Sequence, residues 1–130
     1  MPLVGSLMGL GLPGPLAGGL GNTPQNVTCA AGTTASGAAA ILVGQHIVLL
    51  TASTAGVNSA VLSTAQSVGT PLYVKNLTAS GVTASVYCPL VTGATMNGTT
   101  NGSVLLTTGA GCILIQSTAN QWHSIPLVPS

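Results

Sequence analysis

The chain has no aspartate, no glutamate and no arginine, and its 130 residues include a single lysine, Lys75. Without carboxylate side chains there is no paired-acid hydrolase, no triad oriented by aspartate and no carboxylate cage for magnesium or calcium. A lone lysine cannot displace the counterions of a nucleic-acid backbone, so nucleic acid is not expected as a partner, nor is an anionic membrane surface. A freely soluble monomer has about a quarter of its residues charged. Here the fraction is 1% and the formal net charge is +1, a composition that promotes association and suits life inside an assembly.

Aromatic residues are almost as scarce, with no Phe, one Trp and two Tyr. The core must therefore be built from Val, Leu, Ile and Ala, which bury less area per side chain than aromatics do. A chain of this length has room for one domain with a real core. Oligomerisation would add burial, and free sheet edges give a second reason to associate. Three cysteines, Cys29, Cys88 and Cys112, occur without a CxxC pair. They read as reduced thiols acting as small buried apolar residues, with a Cys88–Cys112 disulfide left open. Their spacing offers no close ligand pair, so neither a metal site nor a cofactor is expected. A Cys–His pair using His46 or His123 would have only an amide to orient its base, so no catalytic residue is assigned. His46 reads as a hydrogen-bonded core or interface residue and His123 as a surface one. Sequons begin at Asn26, Asn76, Asn97 and Asn101, as chance produces in a chain rich in Asn, Thr, Ser and Gly.

What the chain does contain falls into two parts. Residues 1–24, MPLVGSLMGLGLPGPLAGGLGNTP, are apolar but interrupted by Pro13 and Pro15, and each glycine costs a helix interior about 1 kcal/mol relative to Ala. No basic segment precedes the apolar run, so it does not read as a signal peptide. The expectation is an extended arm whose leucines, Leu3, Leu7, Leu10, Leu12, Leu16 and Leu20, lie along a partner's surface. Residues 25–130 read as a β-domain. The segment AAAILVGQHIVLLTAS carries Ile41, Val43 and Ile47 on one face and Leu42, Val48 and Leu50 on the other, so it is either central in a sheet or in contact with another subunit. Its β-branched residues and Gly44 favour strands over a helix at Ala38 to Val43.

The clearest strand signals lie between Leu72 and Trp122. Leu72, Val74 and Asn76 alternate against Tyr73, Lys75 and Leu77, and after a turn at Ala79-Ser80-Gly81 the set Val82, Ala84, Val86 and Cys88 alternates against Thr83, Ser85 and Tyr87. This predicts a hairpin with one apolar face. Pro89, Gly93 and Asn97-Gly98 then mark turns, apolar runs follow at Val104 to Thr107 and Cys112 to Gln116, and a last strand is expected over Gln121 to Leu127. Trp122 reads as a core plug or oligomer contact; stacking of a sugar by Trp122 and Tyr87 is the weaker alternative. No strict repeat of the solenoid kind is visible. The Thr-rich surface lacks the regular spacing of an ice-binding face.

The series LYVKN, GVTASVY, TGATMNG, an Asn/Gly loop, an apolar strand, a Gly-x-Gly turn, a strand ending in Gln, and QWHSI resembles a β-module of small bacteriophage virion proteins. It is similar to modules of head decoration (cement) proteins and of head or tail fibres, over roughly Val61 to Ile125. The resemblance implies a non-enzymatic protein on the capsid surface, with the major capsid protein as partner and a homotrimer as the assembly. The alternative is a fibre or spike module that contacts the host. The expected fold is all-β, a small antiparallel β-sandwich or barrel-like domain behind an extended arm.

Overall fold

The computed structural model describes residues 24–41, 46–52, 56–79 and 81–127. Leu3, Leu7, Leu10, Leu12, Leu16, Leu20 and Val43 lie outside the described residues. The fold is all-β, and a single 3-10 turn, Ala35–Gly37, is the one helical element among the described residues. The strands are β1 Gln25–Ala31, β2 Ala39–Ala40, β3 Ile47–Ala52, β4 Val57–Val61, β5 Leu72–Asn76 and β6 Thr83–Tyr87. They continue as β7 Thr95–Met96, β8 Thr99–Thr100, β9 Ser103–Leu106, β10 Gly111–Thr118 and β11 Gln121–Leu127.

The first six strands alternate between two sheets. In the first sheet β1, β3 and β5 run parallel, and in the second β2, β4 and β6 do the same. Each coil of chain thus lays one strand in each sheet, and the next coil repeats the move alongside it. This is a short β-solenoid, not the antiparallel sandwich or barrel expected from the sequence. The predicted hairpin does not form either: β5 pairs with β3 and β10, while β6 pairs with β4 and β9. Both strands turn their apolar face to the same core, so the chain rounds a corner instead of folding back.

That corner has a specific cause. Asn76 is fully buried, and its Nδ2 donates to the carbonyl of Leu106 at 2.8 Å and to that of Val82 at 3.4 Å. Its Oδ1 accepts the Thr78 amide at 2.9 Å, while Thr78 Oγ1 donates to Val82 O at 2.9 Å. Gly81, at φ 80°, supplies the left-handed backbone that lets the chain enter the second sheet.

The parallel winding ends after β6. Strand β9 closes the second sheet antiparallel to β6, and β10 closes the first antiparallel to β5. A tight turn through Asn120, at φ 62°, then leads back into β11 along β10, with a bulge between Gln116 and Thr118. The coil stack is capped by reversed strands at this end, as a stack of neighbour-only contacts requires. One core joins the two sheets, with Val27, Val48, Leu50, Leu72, Val74 and Leu114 facing Ala60, Leu62, Ala84, Val86 and Leu106.

Candidate functional site

The outward face of the first sheet carries an apolar patch across β3, β5, β10 and β11, bordered by the polar Asn26, Thr28 and Thr51 at the β1 side and by His123 on β11. In strands with one solvated face, outward positions are normally polar, and in this patch most are large and apolar. The pairing registers place Ile47 opposite Tyr73, Tyr73 opposite Ile113 and Ile113 opposite Ile125, which makes one row of large side chains across β3, β5, β10 and β11. A second row runs Asn26, Leu49, Lys75, Gly111 and Leu127. Tyr73, Ile125 and Leu127 are 44%, 47% and 43% exposed, and Ile47, Leu49, Ile113 and Ile115 are half-buried among their neighbours. The outward side of the second sheet is mixed, with Val57 and Leu105 exposed at 40% and 57% among Ser59, Thr83 and Ser85. The Tyr87 hydroxyl donates to the carbonyl of Thr33, from the loop that precedes the 3-10 turn, and on the outward side of β4 Ser59 is buried and donates to Ala30 O at 3.4 Å.

The sequence-assigned residues separate on this framework. Ile41 and Trp122 belong to the core, fully buried with its aliphatic side chains, so Trp122 cannot stack a sugar. Ile47 stands instead in the outward apolar row. His46 is half-buried at the start of β3, where its carbonyl accepts the Tyr73 amide at 2.8 Å.

Chemistry-bearing groups are few and scattered. Cys29, Cys88 and Cys112 are all buried free thiols. Burial pushes all three up from the ordinary thiol value, and Cys112 reaches about 11. A thiol kept neutral is a poor nucleophile and a poor ligand at neutral pH. Two consequences can be measured. Iodoacetamide should leave the native protein unmodified at pH 7.5 and label all three cysteines in denaturant. Between pH 9 and about 11 the unfolded state ionises Cys112 while the folded state holds its proton, so stability should fall across that window, by up to about 2 kcal/mol for this residue. A flat denaturation midpoint from pH 8 to 11 would contradict the burial of these groups.

One pair was not anticipated from the sequence. Ser117 Oγ lies 2.9 Å from His123 Nε2, and it also donates to the Gln121 carbonyl at 3.3 Å. Both side chains are exposed beside the β10 bulge. The chain has no carboxylate to orient the imidazole, so the pair lacks the third group of a hydrolytic triad. Among the described residues no group of three His, Cys, Asp or Glu side chains could hold a metal ion, and no helix is long and apolar enough to cross a membrane. No protein-family model, curated protein or solved structure matches this chain.

Proposed function

We propose that this is a non-enzymatic structural protein of a bacteriophage virion, a decoration or cement protein that seats as a homotrimer on the outer surface of the major capsid protein. The observation that carries the reading is the apolar patch on the outer face of the first sheet, Ile47, Tyr73, Ile113 and Ile125 with Leu49 and Leu127. Such a face, in a chain with one charged side chain, is suited to permanent cover by another protein. Residues 1–24, with their spaced leucines, would supply a second apolar contact. Several arms carried on one oligomer would then bind as a multivalent unit. Attachment by these means is mainly apolar and backbone-hydrogen-bonded and should survive high salt.

The second reading, a head- or tail-fibre or spike module that contacts the host, is favoured by the parallel coils, because solenoid units stack end to end. Copy number separates the two. Quantitative gel analysis of purified particles should find this chain in many copies spread over the shell, still attached after washing in molar salt. A few copies confined to a vertex or tail would make it a fibre component. Release by salt would mean that charges of the partner dominate the contact.

A further inference from the structure

The outer face of the first sheet holds the chain's one charged side chain, and its position constrains what can cover it. Lys75 lies on β5, between Leu49 of β3 and Gly111 of β10, with Leu127 of β11 beyond. Gly111 leaves a notch in that row. A Cβ built there would stand 3.1 Å from the Val74 carbonyl, with Leu127 Cδ1 and Lys75 Cα each 3.9 Å away, so the position is tight against the sheet and bordered by the side chain of Leu127. Any partner flat enough to cover Ile47, Tyr73, Ile113 and Ile125 also covers Lys75.

We propose that this face binds a partner of different sequence, one that presents an aspartate or glutamate through the Gly111 notch to Lys75 within an otherwise apolar contact. Burying an ammonium group without an opposite charge costs several kcal/mol. A second copy of this chain has no Asp or Glu side chain to offer, and closing two such faces on each other would bring their lysines together. Lys75 therefore has two effects: it discourages self-association through this face, as a lysine on an exposed sheet does, and it selects a partner with the complementary charge. The ion pair would be enclosed by aliphatic side chains and thus little screened by salt, in keeping with attachment that survives molar salt. This inference rests on the decoration reading and names the chemistry of its capsid partner.

The test uses purified full-length chain and phage shells prepared without it. Lys75→Met keeps the aliphatic stem and removes the charge; Lys75→Glu reverses it. Both changes are on the surface, and circular dichroism should show both variants folded. Wild type should decorate the shells, Lys75→Met should bind at least tenfold more weakly and Lys75→Glu at least a hundredfold, and Lys75→Met alone in solution should self-associate more than wild type. Decoration by Lys75→Met equal to that of wild type would overturn the acidic-partner inference and leave the decoration reading standing. Failure of wild type itself to bind the shells would overturn the decoration reading, and this inference with it.

Discussion

Replacing Trp122 by alanine should lower the unfolding free energy by about 3 to 5 kcal/mol, the range for emptying a buried aromatic site. The indole is 0% exposed and is the only large aromatic ring in a core otherwise made of Val, Leu, Ile, Ala, Cys and Met. It sits where β11 joins β10 and β7, opposite Gln116 on one side and Met96 on the other. Small aliphatic neighbours cannot expand to fill the space, so the cavity persists. Among the described residues Trp122 Nε1 has no hydrogen-bond partner, nor does Gln116 Oε1. The stabilisation from Trp122 is therefore volume, and Trp122→Phe should cost only about 1 kcal/mol, because part of the lost contact is offset by removing a buried unpaired donor. Urea denaturation followed by circular dichroism measures both variants, since each lacks the chain's sole indole. Equal losses for Phe and Ala would show that the indole N–H, not the ring volume, holds this end of the sheet.

Much of this core could be read from the sequence. Alternation picked out the inward residues Leu72, Val74 and Asn76 of β5 and Val82, Ala84 and Val86 around β6, and the last strand was expected over the residues that β11 occupies. The winding could not be read that way. Period-two alternation fixes which face a residue occupies but not which strand pairs with it. A hairpin and a solenoid corner put the same residues inside. The coils begin at Gln25, Ile47 and Leu72, unevenly spaced and with different residues at matching positions, so no sequence repeat announced them. The outward row Ile47, Tyr73, Ile113 and Ile125 exists only through the strand order β3, β5, β10, β11, and its members are scattered along the chain. The Ser117–His123 pair was missed for a simpler reason: its signal is the tight turn between Thr118 and Gln121, which places the residues flanking it side by side.

Asn76 is where the sequence was least informative and the structural consequence is large. It resembles a glycosylation site, yet it is fully buried. Beyond its side-chain bonds to Leu106, Val82 and Thr78, its amide donates to Ala110 O at 2.9 Å and its carbonyl accepts the Gly109 amide at 2.9 Å. One residue thus ties the β5–β6 corner to the end of β9 and to the turn before β10. Thr108 Oγ1 adds donations to Ala79 O at 2.7 Å and Val82 O at 3.1 Å, so Val82 O keeps other donors if Asn76 is lost. Leu106 O and the Thr78 amide lose their side-chain partner, and each buried group left unpaired costs about 1 to 3 kcal/mol. Asn76→Ala should therefore destabilise the protein by about 3 to 5 kcal/mol and raise protease sensitivity at the corner near Gly81. Asn76→Asp separates hydrogen bonding from shape. When protonated, the carboxyl can still donate toward Leu106 O and accept from Thr78; once ionised it has no donor and sets a charge against a carbonyl. Its folded pKa is then raised above the ordinary carboxyl value, so its stability should be nearest to wild type at about pH 4 and fall as pH rises toward 7. Urea midpoints for this variant that do not change between those two pH values would show that the side chain of residue 76 is not the donor that closes the corner.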